Sequence, residues 1–126
     1  MPLFYKIDKE RRLVLSSGSG PFSLADAKAH QQRLLNDRDF DPSFSQIVDF
    51  SQFTKFDLSA NDIRQMAERS VFSAQSRRGI IVPNDFAFGL GRMFQILRDL
   101  AGEKGIRVCR TLEEALDWVL SKGTSP

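Results

Sequence analysis

The sequence predicts an α/β fold: a mixed, mostly parallel sheet of about five strands, opening on an N-terminal hairpin and then alternating with about four helices. Three observations carry this reading. Two apolar segments flank a charged one at the N-terminus, and Gly79-Ile80-Ile81-Val82 is apolar on both sides, as a central parallel strand covered on both faces must be. Helix-start patterns at Ser23, Ser59 and Thr111 then alternate with strand-like runs, so right-handed crossovers make the later strands parallel.

Leu3-Phe4-Tyr5-Lys6-Ile7 and Leu13-Val14-Leu15, on either side of Asp8-Lys9-Glu10-Arg11-Arg12, read as an antiparallel hairpin with an exposed turn. Gly18-Ser19-Gly20-Pro21 stops the second strand. Ser23 with Asp26 starts the first helix, whose Leu24, Ala27, Gln31, Leu34 and Leu35 fall near one face. Asn36 to Ser45 is loop, and Ile47 to Phe50 is a strand that runs into the polar turn Asp49-Phe50-Ser51. Phe53 and Phe56 lie in a hydrophobic connector. Ser59 with Asp62 caps the second helix, in which Ile63, Met66 and Ala67 share a face.

After a connector containing Phe72 comes the strand Gly79 to Val82, which Pro83 ends because it has no N–H to give a ladder. Asn84 or Asp85 caps the third helix, with Phe86, Leu90, Met93, Leu97 and Leu100 at helical spacing and Phe88, Phe94 and Ile96 widening the stripe. Gly102-Glu103-Lys104-Gly105 reads as a turn and Ile106 to Cys109 as the fifth strand. Thr111 with Glu114 is a full capping box for a fourth helix, with Leu112, Ala115, Leu116, Val119 and Leu120 inward. The ordered core is expected over residues 3–121, with 122–126 frayed.

A chain of 126 residues suits one domain, and with 41% hydrophobic and 27% charged residues its composition is that of a water-soluble globular protein. Of its aromatic side chains 11 are Phe, which brings apolar area without a polar atom that needs a partner. The net charge of +2 comes from basic residues scattered along the chain, which argues against nucleic acid. Arg11-Arg12 and Arg77-Arg78 read as solvated surface. Cys109, the sole cysteine, excludes an intrachain disulfide and falls in an apolar run, where a small buried hydrophobe is expected. No apolar run approaches ~18 residues and no signal-peptide region is visible, so a cytoplasmic placement without stable membrane insertion is the simplest expectation.

The strand ending Asp49-Phe50, the following Asp57-Leu58-Ser59, the pair Arg77-Arg78 before the fourth strand and Ala87-Phe88-Gly89-Leu90 in the third helix go together with this order of elements. In these features the chain, from about Tyr5 to Leu120, resembles the STAS/SEC14-like bacterial proteins of the SpoIIAA-like fold, small uncharacterised members among them. The resemblance implies a SpoIIAA-like domain with a non-catalytic regulatory or protein-interaction role; its SEC14 side implies an apolar ligand or lipid. In anti-sigma-factor antagonists of this fold an aspartate is followed directly by a serine that a partner kinase phosphorylates. Here that position is Leu58. Ser59, the next hydroxyl, sits at a helix N-cap, where binding backbone N–H groups is worth ~1 kcal/mol, so capping is expected ahead of phosphorylation.

Ligands and partners of open α/β sheets usually sit at the carboxyl ends of the strands. The candidate partner- or ligand-binding residues are therefore Asp49, Ser51, Asp57 and Ser59, together with Asn84, Asp85, Phe88 and Arg92. The leading expectation is binding of another protein, or of a second copy as a homodimer, without turnover. A small apolar ligand or lipid held between the second helix, the third helix and the Phe-rich connectors comes second. A hydrolase using Ser51 or Ser59 is remote, because the sole histidine, His30, falls on the first helix far from either serine and reads as a surface or half-buried residue.

No catalytic residue, cofactor or metal is assigned. One cysteine and one histidine cannot supply a structural zinc set, and turn and cap roles explain Asp49, Asp57 and Asp85 more simply than magnesium does. Gly89-Leu90-Gly91 lies inside a helix rather than before one, so it suits close helix–sheet approach and not a phosphate cradle. Phe50, Phe53, Phe56, Phe72, Phe86 and Phe88 are expected to close the sheet edge, line an apolar cavity or form a self-association patch.

Overall fold

Pleat and apolar phase set the layers. The computed structural model describes residues 3–121. β1 (Leu3–Asp8) and β2 (Leu13–Gly18) form the expected antiparallel hairpin, whose turn places Arg12 in the left-handed region at φ 54°. There follow β3 (Gly20–Ser23), α1 (Leu24–Leu35), β4 (Ser45–Asp49), β5 (Phe53–Asp57), α2 (Ala60–Ala67), β6 (Arg78–Ile81), α3 (Asp85–Leu100), β7 (Ile106–Cys109) and α4 (Leu112–Leu120). The main sheet has the order β1-β2-β4-β6-β7 and is parallel throughout except for the hairpin.

The segments read as a strand stop and a hydrophobic connector are strands. β3 and β5 pair in parallel as a small second sheet, with Phe22 opposite Phe56. Pro21 is tolerated because β3 has one neighbour only, so the missing N–H can fall on its unpaired side.

Alternation along each strand feeds two apolar layers. Val48, Ile80, Val82 and Val108 pack with Ile63, Ala67, Ala87 and Phe94 of α2 and α3. Leu13, Ile47, Ile81 and Cys109 face the other way, against Ala115 and Val119 of α4. Cys109 is fully buried, as its apolar surroundings predicted, and burial pushes its thiol up to about 11. α4 lies close on the sheet because Gly79 has no side chain: a Cβ there would stand 3.1 Å from that of Ala115.

Three helix faces are rotated from the sequence reading. On α1 the buried pair is His30 and Leu34, while Leu35 is exposed; adjacent residues stand ~100° apart, so only one of the two leucines can face in. On α3 the inner face is centred on Ala87, Gly91 and Phe94, leaving Phe86, Ile96 and Leu100 exposed. On α4 Ala115 and Val119 are buried, whereas Leu112 and Leu120 are exposed. The frayed tail expected over 122–126 lies outside the described residues. Among the described residues no helix is long and apolar enough to cross a membrane.

Caps follow the sequence closely. Ser59 and Asp62 form a reciprocal box, each side chain taking the other's backbone N–H at 3.0 and 2.9 Å. At α4 the box is half made: Thr111 Oγ1 accepts from the N–H of Glu114, but the Glu114 carboxylate turns to the N–H of Arg110 at 2.9 Å.

The glycines separate two kinds of position. A Cβ at Gly89 meets nothing within 4 Å, whereas one at Gly105 would fall 2.2 Å from the Ser76 carbonyl oxygen. Gly89→Ala should therefore raise the unfolding free energy by about 0.5–1 kcal/mol, and Gly105→Ala should lower it by about 1–3 kcal/mol, both read by urea denaturation.

Candidate functional site

The helices α1, α2 and α3 do not fill the face they cover. A cavity of about 180 Å³ remains between them and the sheet. Val48 and Ile80 form its floor, Ile63 and Met66 of α2 and Leu90 and Phe94 of α3 its walls. At the carboxyl end of β4 it meets Phe50 and Phe56, members of an aromatic cluster with Phe22 and Phe53 whose ring centroids lie 4.9–6.3 Å apart. At the amino ends of β4 and β6 it meets Gln46, Arg78 and, from α1, His30.

These three side chains belong to a buried polar relay that crosses the sheet. Gln46 and Arg78 are register partners on adjacent strands, and each is in phase with apolar core positions of its own strand, Val48 and Ile80. Arg78 Nε donates to Gln46 Oε1 at 3.2 Å, Gln46 Nε2 donates to Ser16 Oγ at 3.2 Å, and Ser16 Oγ stands 2.9 Å from His30 Nε2. A guanidinium can only donate, so the direction of the chain is set from its Arg78 end. Ser16 Oγ, accepting from Gln46, keeps a second lone pair and its own proton, so it meets His30 Nε2 as donor or as acceptor according to the imidazole tautomer.

The other end of the relay is ionic. Arg78 Nη1 donates to Glu103 at 3.1 Å and to Ser70 Oγ at 3.2 Å, and Arg98 Nε donates to the same carboxylate at 2.9 Å. The three side chains are only 12%, 11% and 2% exposed. The Arg78 guanidinium also lies over Phe72 and Phe94, 4.6 and 5.6 Å from their centroids, and burial pulls it below the ordinary arginine range while Glu103 opposes that shift. Reading Arg78 as solvated surface is thus overturned, because Glu103, placed by sequence in a turn, is a buried counter-ion. Arg77 is half-buried rather than solvated, lying over Trp118 and donating to its carbonyl at 3.1 Å.

His30 is corrected in the same way: it is 5% exposed and bonded to Ser16, not a surface residue. Burial, then Arg33 and Arg78, pushes its pKa down to about 4, and Tyr5 stacks on it edge-on at 5.5 Å. The Tyr5 hydroxyl donates to Asp37 at 2.8 Å, and burial and that bond push it up to about 12. Neither Ser51 nor Ser59 approaches the histidine, since the serine on its ring is Ser16, itself 2% exposed and outside the cavity wall.

The residues chosen at the carboxyl ends of the strands are engaged locally. Asp49 accepts from the N–H of exposed Ser51 at 2.8 Å, Ser59 caps α2, Asn84 accepts from the N–H of Ala87 at 2.9 Å, and Arg92 donates to Gln95 at 2.9 Å. Asp57 is exposed at the end of β5. Of the set, Asp85 and Phe88 are drawn together through Arg110, which pairs with Asp85 at 2.9 Å and lies over the Phe88 ring at 4.4 Å. Among the described residues no group of three or more His, Cys, Asp or Glu is placed to hold a metal ion.

A five-stranded mixed sheet with an N-terminal antiparallel hairpin, alternating helices and both faces covered defines this chain as a SpoIIAA-like α/β protein. It is similar to an uncharacterised protein of the DUF3478 family with a SpoIIAA-like fold from Shewanella loihica PV-4, with 14% identical residues, 94% of each chain covered and a TM-score of 0.57. At that identity the likeness establishes the fold, as the resemblance in the sequence implied. No family model matches the sequence, and no curated protein matches it.

A histidine whose pKa falls from 6.5 to about 4 on folding binds its proton better in the unfolded chain. Its stabilisation is full above about pH 6.5 and is lost as pH falls to about 4, by about 3 kcal/mol in all. Urea midpoints should therefore drop steeply between those limits for the wild type, and His30→Gln, which keeps an acceptor for Ser16, should flatten the profile.

Proposed function

We propose that this protein is a SpoIIAA-like binding module that holds one small, mostly apolar molecule between its sheet and the helices α1, α2 and α3. The observation that carries this is the cavity of about 180 Å³, whose floor and walls are Val48, Ile80, Ile63, Met66, Leu90 and Phe94. An apolar cavity of ~150 Å³ takes up benzene, so this one suits a body of roughly six to ten heavy atoms. The volume favours such a ligand over a two-chain membrane lipid, which narrows the SEC14-like expectation.

Protein interaction through the carboxyl edge is the second reading. It is favoured by Phe86 and Leu112, 63% and 51% exposed, at the starts of the two helices that the Asp85–Arg110 pair ties together. The candidate residues Asp49, Ser51, Asp57, Ser59, Asn84 and Arg92 would then supply a polar rim around an apolar centre, the usual anatomy of an interface.

Fluorobenzene followed by fluorine NMR should bind the wild type and be excluded by Ala27→Phe, which fills the cavity from α1. No binding to the wild type, or equal binding to both, would sink the cavity reading. For the second reading, sedimentation velocity of the wild type should show concentration-dependent self-association that Phe86→Ser/Leu112→Ser abolishes; a wild-type monomer at every concentration rules out the homodimer.

A further inference from the structure

From the buried charge beside the cavity we infer that its ligand is a small carboxylate with an aryl or alkyl body, the carboxylate set against Arg78 and the apolar body against Val48, Ile80 and Phe94. The inference rests on the cavity reading and adds the chemistry of the head group.

Three observations converge on it. Arg78 and Arg98 share a single carboxylate, Glu103, in a site where all three side chains are nearly excluded from water. One guanidinium charge therefore lacks a counter-ion within the cluster, and an unbalanced charge is costly where water is excluded. Arg78 rather than Arg98 forms part of the cavity wall, and Arg98 directs its Nη1 to the Ala67 carbonyl at 2.8 Å.

Arg78 also has a donor to spare. Its Nε and Nη1 are engaged by Gln46, Ser70 and Glu103, while Nη2 takes no partner among the described residues. No described buried side-chain nitrogen or oxygen is left without a partner, so Nη2 keeps accessible surface, and Arg78 is one of the residues that line the cavity. His30 lines the cavity as well, with its Nε2 held by Ser16.

The chemistry of the walls then selects the ligand. The Arg78 guanidinium meets an anion by charge-assisted hydrogen bonds, and Val48, Ile80, Leu90 and Phe94 give an apolar body a surface beside it, with Gln31 and Gln65 also on the lining. A free inorganic anion would leave the apolar volume unused, and a neutral hydrocarbon would leave the charge uncompensated. Lys28 and Arg69, exposed at the lining, outnumber Glu68 there and favour approach of an anion.

Isothermal titration with two matched pairs tests this: hexanoate against hexanol, and phenylacetate against 2-phenylethanol. The wild type should bind each acid about tenfold or more tightly than its alcohol. In Arg78→Met the advantage of the acid should vanish while the alcohols still bind. That variant leaves Glu103 balanced by Arg98 and puts an apolar chain between Phe72 and Phe94, but takes the donor from Gln46 Oε1, so its fold is checked by circular dichroism before titration. Alcohols bound by the wild type as tightly as the acids would overturn the carboxylate and leave the cavity reading standing. Silence from all four probes would overturn both. The comparison within the wild type decides the matter even if Arg78→Met does not fold.

Discussion

Two guanidinium groups closing on the Glu103 carboxylate form the constraint on which the helical face of this protein depends. Glu103 lies just past the end of α3, Arg98 comes from the last turn of that helix, and Arg78 comes from the first residue of the interior strand β6. The ion pairs therefore fix where α3 ends relative to the sheet. Removing one partner of a buried pair typically costs about 3–5 kcal/mol, because the charge left behind has no water to return to. From Arg78 the constraint passes through Gln46 and Ser16 to His30, so β6, β4, β2 and α1 are held in one register by side chains as well as by backbone. The bonds from Arg78 through Gln46 to Ser16 run one way and polarise one another, which strengthens each.

That arrangement also leaves the cavity with two unlike ends. The Phe22, Phe50, Phe53 and Phe56 cluster joins the small β3–β5 sheet to the main one by ring contacts and has no polar atom to offer. The amino-terminal end carries the guanidinium and the imidazole. The usual guide to α/β sheets points to the carboxyl ends of the strands. Here those ends are polar, but their groups are engaged in turns and caps, while space and unbalanced charge coincide inside the layer.

Much of this architecture was legible in the sequence. The hairpin, the strand Ile106 to Cys109, the box at Ser59 and the N-cap at Thr111 rest on local chemistry that neighbours cannot easily override, while the Glu114 half of the Thr111 box is lost to the N–H of Arg110. β3 was hidden because Gly20 and Pro21 suit a turn equally well, and only pairing with a distant segment makes them a strand. Arg78, Glu103 and His30 were hidden because charged and titratable side chains are mostly exposed, and nothing in a single chain shows that three of them meet. A faint signal did exist: Gln46 and Arg78 occupy the same pleat phase as Val48 and Ile80, and a polar residue in phase with core positions is either paired or misplaced. The helix faces went astray where two or more leucines or phenylalanines competed for one stripe, as Leu34 and Leu35 do.

Ser16, His30, Gln46, Arg78 and the pair Arg98 and Glu103 come from five separate parts of the chain, and all but one link of the relay joins residues remote in sequence. Such a network forms only after α1, α3 and the central strands have docked, whereas the β1–β2 hairpin needs no more than local closure. The relay is therefore a latch that only the assembled fold can set, holding α1, the inner strands and the end of α3 to one another once each is in place.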